Sequence, residues 1–278
     1  MDTSVAPHDL FSLRGQTAFI TGGSGVLGSA MAHGLSRAGA RVAIAGRRVA
    51  ASEQVAAAIR ANGGEALGVA CDVLEPASLD AARRTTEAAF GPVEILVNAA
   101  GGNAPGATTT AEQPFFALER ASVSAVLGSN FEGTFLSCQV FGRAMAERGQ
   151  GCIVNIASMS ALRPLTRIAA YSAAKAAVVN FTQWLAVHLA QEYSPRLRVN
   201  ALAPGFFLTE QNRYLLTEPQ SGEWTARGRA ILAHTPMGRL GEPDELIGTL
   251  VWLVSPAATF VTGAVIPVDG GFAAYSGV

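Results

Sequence analysis

An alternation of strand and helix patterns constrains the fold of this chain more than any other feature. Seven short apolar runs are separated by alanine-rich segments with helical spacing. The predicted strands are 16–21, 41–45, 66–70, 93–97, 152–157, 197–202 and 264–268, and the predicted helices are 29–38, 50–61, 76–90, 121–148, 169–193 and 243–254. Strands that alternate with helices favour parallel pairing, so the order predicts one α/β domain with a doubly wound, seven-stranded, mainly parallel sheet.

Two segments lie outside this alternation. Residues 1–13 are predicted to form a loose N-terminal arm, and residues 206–241 contain few regular signals. The second segment follows the carboxyl end of a predicted strand, where loops commonly carry function. It is therefore predicted to be a substrate loop or lid within the single domain 1–278.

Composition and charge exclude several classes of protein. The chain is 49% hydrophobic and 15% charged, which is typical of a well-buried globular protein. A net charge of −1 and the absence of a five-residue basic cluster argue against nucleic-acid binding. The uncharged stretch 246–268 is divided by Pro256 and Pro267, which predicts a helix, a loop and a strand rather than a membrane span. The first residues lack the apolar core of a secretory signal, so we expect a cytoplasmic protein.

Cysteine and histidine spacing predicts neither disulfides nor a catalytic metal. The three cysteines are odd in number and widely separated, and buried thiols are their ordinary role. His33, His188 and His234 do not cluster with carboxylates at ligand spacing, so no metal site is predicted.

A glycine-rich turn links the first predicted strand to the first helix. Its pattern is Gly23-x-Gly25-x-x-Gly28. Glycines permit a tight turn and close backbone approach, and the helix N-terminus offers free N–H groups to a pyrophosphate. The second strand then ends in Gly46-Arg47-Arg48, where a site selective for NAD would be expected to carry an acidic residue. Because Arg47 or Arg48 could pair with a 2′-phosphate, the preferred cofactor is NADP(H), with NAD left open.

Residues 155–175 contain the strongest chemical signal. Lys175 is the only lysine among 278 residues, and it follows Tyr171 by one helical turn, so ammonium and phenol can share a face. A phenol near pKa 10 is a weak base at neutral pH, and lowering its pKa by about three units requires roughly 4 kcal/mol. One ammonium at about 4 Å in an effective dielectric near 20 supplies a Coulomb energy of similar size. Ser158, after the fifth strand, could hold a substrate oxygen.

Motifs along nearly the whole chain add to this interpretation. They are Thr21-Gly22 with Gly28, Asn98-Ala99-Ala100-Gly101, Asn130, Ser158, Tyr171-x-x-x-Lys175, Asn200 and Pro204-Gly205. In combination they resemble the short-chain dehydrogenase/reductase superfamily. The resemblance implies a Rossmann-like homotetramer or homodimer with Tyr171 as acid/base and Lys175 as the residue that binds the nicotinamide ribose and lowers the tyrosine pKa. It further implies that Ser158 orients the substrate and that Asn130 holds a water of the proton relay.

The expected cofactor contacts follow from the same motifs. They are Gly22, Ser24, Gly25, Val26, Leu27, Arg47, Asp72, Val73, Asn98, Ala99, Ala100, Gly101, Tyr171, Lys175, Pro204, Gly205 and Thr209. In the family, the residue at the place of Thr209 often bonds the carboxamide. The family's usual turn would carry glycine at position 26, whereas this chain has Val26, so a slightly different phosphate turn is expected.

Residues 205–213, 234–238 and 268–278 resemble the D-mannonate oxidoreductase (fructuronate reductase) branch. A sugar acid needs a cation for its carboxylate and polar partners for its hydroxyls. The candidates for substrate contact are Asn103, Ser158, Arg167 and Arg213, and Arg167 or Arg213 is expected to meet the carboxylate. The alternatives are a 3-oxoacyl thioester reductase, another sugar or polyol dehydrogenase, and a catalytically idle nucleotide-binding sensor or scaffold.

Overall fold

A seven-stranded parallel sheet forms the centre of the protein. The computed structural model describes residues 9–208, 213, 216–218 and 220–277. The strands are β1 (Thr17–Thr21), β2 (Arg41–Gly46), β3 (Ala66–Ala70), β4 (Val93–Asn98), β5 (Gly151–Ile156), β6 (Leu197–Pro204) and β7 (Val265–Val268). They lie in the order β3, β2, β1, β4, β5, β6, β7, and every neighbouring pair is parallel.

Helices cover both faces of this sheet. They are α1 (Val26–Arg37), α2 (Val49–Ala61), α3 (Pro76–Phe90), α4 (Arg120–Leu127), α5 (Gly133–Arg148), α6 (Ala169–Glu192), α7 (Ala226–His234) and α8 (Ile247–Val254). Side chains alternate between the two faces of a strand, so Ile20 packs with α1 and α8 while Phe19 packs with α3, α5 and α6. Each face therefore has its own hydrophobic core, and the predicted doubly wound α/β fold is confirmed.

The strand order reverses between β1 and β4. Thr21 pairs with Asn98 at the carboxyl ends of these two strands. In open α/β sheets, ligands bind in the crevice outside such a reversal. The fold therefore directs a ligand site to the residues that follow β1 and β4.

The predicted strands all occur, with ends shifted by at most two residues, but some other boundaries differ. α1 begins at Val26, three residues earlier than predicted. The turn ends at Gly25, although the glycine pattern continues to Gly28. The predicted helix 121–148 is interrupted by a π-helical turn, Gly128–Glu132. The segment 206–241 contains α7, which the sequence analysis missed.

Part of the predicted N-terminal arm belongs to the packed domain. Asp9–Phe11 form a turn of 3-10 helix, and Leu13 is fully buried with its backbone N–H donated to the Ala38 carbonyl at 2.8 Å. Residues 9–13 are thus part of the packed domain, and the rest of the proposed arm, 1–8, lies outside the described residues.

Within the described part of the chain, no helix combines the length and the apolarity needed to cross a membrane.

Candidate active site

Ser158, Tyr171 and Lys175 meet at the carboxyl end of β5. Ser158 has an extended backbone, and its Oγ accepts a hydrogen bond from the Ser160 N–H at 3.1 Å, which caps the 3-10 turn Met159–Ala161. Tyr171 lies in the first turn of α6, and Lys175 follows one turn later. The Lys175 Nζ is 5.6 Å from the centroid of the Tyr171 ring and donates to the Ile156 carbonyl of β5 at 2.7 Å. Strand and helix together thus fix the ammonium beside the phenol.

Burial shifts the ionisation of both groups toward their neutral forms. It raises the pKa of Tyr171, and a hydrogen bond with Ser158 opposes this rise. It lowers the pKa of Lys175 to about 8. Low-polarity surroundings penalise charge, which accounts for both directions. The expectation that the Tyr171 pKa lies below its ordinary value is therefore not met by the protein's own groups, because burial outweighs the hydrogen bond with Ser158.

Asn130 lies within the π-helical turn and is fully buried. Its Nδ2 donates to the Val126 carbonyl at 2.8 Å and to the Gly102 carbonyl at 2.7 Å, while its Oδ1 accepts from the Gly102 N–H at 3.1 Å. The side chain thus ties the loop after β4 to the helix, and π turns of this kind are frequent at functional sites. These bonds account for the interruption of the predicted helix.

The glycine turn after β1 is packed too closely for side chains. Gly22 has φ +65°, and a Cβ there would lie 2.7 Å from the Ala100 Cα. A Cβ on Gly28 would lie 2.3 Å from the Gly22 carbonyl oxygen. Gly25 is less crowded, with its nearest contact at 3.4 Å, and Val26 occupies the first turn of α1 with 38% of its surface exposed. The departure from glycine at position 26 is thus accommodated in a helical conformation.

This turn fits a dinucleotide. The first N–H groups of α1, including those of Val26 and Leu27, have no carbonyl within the helix and so are available to a phosphate. Ser24 faces the end of β2, since its Oγ is 3.4 Å from the place of a Cβ on Gly46. Arg47 and Arg48 are exposed there, and neither forms an ion pair with any described residue.

Two of the predicted cofactor residues have structural partners after β3. The Asp72 backbone N–H donates to the Ser78 Oγ at 2.9 Å, and its Oδ1 accepts from the Leu74 N–H at 3.0 Å. Val73 packs on the start of α5, where a Cβ on Gly133 would lie 2.5 Å from the Val73 Cγ2. Both side chains remain partly exposed.

The Asn98 side chain is held inside the sheet. It is 2% exposed, and its Nδ2 donates to the Asn155 Oδ1 at 2.9 Å. Asn155 in turn donates to the Thr182 Oγ1 at 2.9 Å, so the chain of amides joins β4, β5 and α6. The Asn98 side chain therefore positions the strands, while Ala99, Ala100 and Gly101 continue into the crevice beside Gly22.

The end of β6 brings two further predicted residues to the same edge of the sheet. Pro204 is buried as the last residue of the strand. Gly205 packs against Asp269, whose Cα would be 2.6 Å from an added Cβ, and donates its N–H to the Val268 carbonyl at 2.9 Å. The predicted carboxamide contact, Thr209, lies outside the described residues.

The predicted substrate residues lie on separate segments of the chain. Asn103 is exposed and donates to the Thr108 Oγ1 at 2.7 Å. Arg167 is exposed with φ +75°, and its carbonyl accepts from the Thr109 N–H at 2.9 Å. Arg213 is exposed, and the residues on both sides of it lie outside the description. The contact of Arg167 or Arg213 with a carboxylate stays a prediction.

A cavity of about 550 Å³ lies among the loop 163–166, α7 and the C-terminal segment 272–276. Arg227, on α7, lines it, and the sequence analysis missed this residue because it missed the helix. The helix has a recognisable start, since the Thr225 side chain accepts from the Gly228 N–H at 3.1 Å. A threonine before an alanine-rich run is an N-cap signal, and weighing it would have revealed α7. Among the described residues, no group of three or more metal-ligating side chains is found.

Comparisons with known proteins place this chain among oxidoreductases. The family model described as enoyl-(acyl carrier protein) reductase, of short-chain dehydrogenase type, matches residues 24–273. The uncharacterized oxidoreductase UxuB of Bacillus subtilis (strain 168) is 49% identical over 276 residues, which are 96% of this chain and 98% of that protein.

Two solved structures are similar over nearly their full lengths. A protein from Haemophilus influenzae, provisionally assigned as a D-mannonate oxidoreductase and crystallised with NAD, is 41% identical with a TM-score of 0.90, covering 96% of this chain and 98% of its own. A gluconate 5-dehydrogenase from Burkholderia cenocepacia J2315, crystallised with NADP and tartrate, is 35% identical with a TM-score of 0.87, covering 97% and 100%. The two relatives thus differ in the dinucleotide that they hold.

Proposed function

Because this chain belongs to the short-chain dehydrogenase/reductase family, an oxidoreductase family acting on CH–OH groups, we propose that its substrate is a sugar acid of the D-mannonate/fructuronate type. The reaction interconverts a carbinol and a ketone, with NADP(H) as the preferred dinucleotide. The observation that carries this proposal is the convergence of Ser158, Tyr171 and Lys175 at the sheet edge that also holds the glycine turn.

Each catalytic residue has a distinct task in this proposal. Tyr171 exchanges a proton with the substrate oxygen, because its phenol lies beside both a hydroxyl and an ammonium. Ser158 orients that oxygen, and Lys175 supplies the charge that favours the phenolate when a carbinol is oxidised. Asn130 holds a water that connects Lys175 to solvent. The nicotinamide, when bound, supplies or accepts the hydride.

The end of β2 supports the preference for NADP(H). Gly46 leaves no carboxylate to accept from a ribose hydroxyl. The exposed Arg47 and Arg48, which pair with none of the described residues, offer guanidinium donors to a 2′-phosphate. The pyrophosphate is assigned to the turn of Gly22, Ser24 and Gly25 and to the start of α1.

Relatives and loop chemistry support a sugar acid. One relative carries a D-mannonate assignment and another is a gluconate 5-dehydrogenase, and both assignments name polyhydroxy carboxylates. Asn103 and Arg167 lie in loops at the carboxyl edge of the sheet, where amide and guanidinium groups can meet hydroxyls and a carboxylate. Segment 206–241 is proposed to cover the bound substrate.

We also propose a homodimer or homotetramer. Trp184 and Val187 on α6 are 56% and 57% exposed, and the Trp184 ring stacks on His188. Large apolar side chains grouped on one helix face support burial against another copy of the chain.

An activity screen tests this function. Purified protein is assayed with NADPH or NADH against D-fructuronate, 5-keto-gluconate, D-fructose and a 3-oxoacyl thioester, and nicotinamide absorbance is followed. We expect the highest kcat/KM for a keto sugar acid with NADPH, and loss of at least about a thousandfold in Tyr171→Phe. Preferred turnover of the thioester or of the neutral sugar would replace the proposed substrate. Cofactor binding without any turnover would identify a sensor.

A further inference from the structure

The cavity beside α7 begins near the catalytic residues. Arg163 lines one wall and lies five residues after Ser158 in the sequence. Phe206 lines another wall and directly follows Pro204-Gly205. The segments that form these walls follow the carboxyl ends of β5 and β6. Ser158 and Tyr171 lie at the same edge of the sheet. A volume of about 550 Å³ is in the range of small-molecule sites. The cavity is therefore placed to receive the part of a substrate that extends away from the reacting carbon.

The lining of this cavity is positively charged on one side. Arg163, Arg227 and His234 contribute basic groups, and no aspartate or glutamate is among the described residues that line the cavity. Leu165, Ile231 and Phe272 supply apolar surface around them. A basic cavity without an acidic partner favours an anionic ligand, because a guanidinium removed from water needs a counter-charge.

Arg227 is the group that most lacks such a partner. It is half-buried, and its guanidinium makes no hydrogen bond or ion pair with the described residues. Burial lowers the pKa of Arg227, and the nearby charge of Arg167 lowers it further. Arg167 directly follows Thr166, which lines the cavity. A like charge beside Arg227 destabilises the free protein, and an anion between the two guanidinium groups would remove that cost.

The backbone of Arg167 is strained, which costs free energy in addition to the repulsion between like charges. Within the described residues it alone among non-glycine residues has a positive φ, +75°. Its carbonyl is fixed by the Thr109 N–H at 2.9 Å, which joins the loop after β5 to the loop after β4. Strained backbone of this kind is concentrated at functional sites, where the surrounding structure holds it. The strained residue is therefore the same arginine whose charge acts on Arg227.

We propose that Arg227 binds the carboxylate of the substrate within this cavity, with Arg167 beside it. Arg163 is held in place at the rim, since its Nε donates to the Ala273 carbonyl at 3.1 Å. The planar fork of Arg227 suits a bidentate contact with a carboxylate. This inference rests on the proposed function, since it names the group that would distinguish a sugar acid from a neutral sugar.

The experiment compares two substrates that differ in the carboxylate. D-Fructuronate and D-fructose are assayed with wild type, Arg227→Met, Arg227→Lys and the control Arg229→Met. Arg229 is on the same helix but donates to the Trp224 carbonyl. We expect Arg227→Met to lower kcat/KM for fructuronate by about 10- to 100-fold and to change that for fructose by less than about threefold. Arg227→Lys should recover part of the loss. Equal losses on both substrates, or none, would overturn the assignment.

A binding measurement separates this inference from the proposed function. The melting temperature is followed as gluconate is added, with sodium chloride at equal ionic strength as the control. Stabilisation of wild type and Arg229→Met but not of Arg227→Met supports the carboxylate site even if no sugar acid is turned over. A wild-type protein that gluconate does not stabilise, or equal stabilisation of Arg227→Met, overturns the inference.

Discussion

Single residues show which chemical properties a sequence can predict. The sequence shows that Lys175 is the only lysine and that it follows Tyr171 by four residues. The structure places the two side chains together. The sign of the tyrosine pKa shift was not predictable in the same way. It depends on how deeply both groups are buried, which is decided by β5, α6 and their neighbours together.

The ionisation of Lys175 leads to a pH dependence. Ketone reduction needs a protonated Tyr171 and a charged Lys175, and the raised pKa of Tyr171 keeps its proton in place at alkaline pH. The pKa of Lys175, lowered to about 8, makes the ammonium the first of the two to lose its proton. We therefore expect kcat for reduction to fall as the pH rises through about 8.

The control is Lys175→Arg, which retains its charge throughout this range. It should be slower at every pH, because a guanidinium cannot reproduce the Nζ bond to the Ile156 carbonyl, and its rate should not fall near pH 8. An unchanged alkaline decline in this variant would assign the ionisation to another group.

Helices and strands were predicted correctly where the local sequence pattern was strong. Strands such as β4 were located because apolar β-branched runs end in small residues, and parallel pairing leaves few alternative orders. The π turn was not predictable, because it depends on hydrogen bonds between Asn130 and Gly102, 28 residues away. Helix α7 was missed because its short alanine-rich run lies in a polar segment. Without α7, the sequence analysis could not place Arg227 at the site.

The glycine turn gives a prediction at this scale. In Gly28→Ala the new Cβ would lie 2.3 Å from the Gly22 carbonyl oxygen, so the start of α1 must move and its N–H groups lose their alignment. We expect the dissociation constant for the dinucleotide to rise at least about tenfold. Gly248→Ala is the control, because Gly248 lies on α8, away from the turn, and a Cβ there would meet no atom within 4 Å. Fluorescence titration measures both, and equal weakening would show that close packing is not what shapes this turn.

For the whole molecule, the strand order creates the crevice and the ends of its strands supply the groups that line it. The residues after β1, β2 and β4 face one opening, while those after β5 and β6 carry the proton-transfer groups and one side of the basic cavity. The sequence predicted the first set because each strand ended in a recognisable turn. It could not predict the cavity, since its walls come from distant segments.

The preferred dinucleotide can be identified by how much it stabilises the folded protein. A ligand at one hundred times its dissociation constant adds about 2.7 kcal/mol to the free energy of unfolding. We expect NADPH to raise the melting temperature more than NADH at equal concentration, and Arg47→Ala to remove most of the difference. Arg37→Ala, at the far end of α1, is the control and should behave as wild type. A larger shift with NADH in wild type would reverse the cofactor assignment.

The solitary lysine also gives this protein a built-in spectroscopic probe. Reductive methylation with ¹³C-formaldehyde modifies primary amines, and the sequence offers Lys175 and the chain's α-amino group. The resulting NMR spectrum should contain one side-chain signal, from a nitrogen beside the Tyr171 ring. Because Lys175 is 4% exposed, the rate of its labelling would measure how often the crevice opens, and bound dinucleotide should slow it. Opening of the catalytic site could then be followed in solution without introducing any label by mutation.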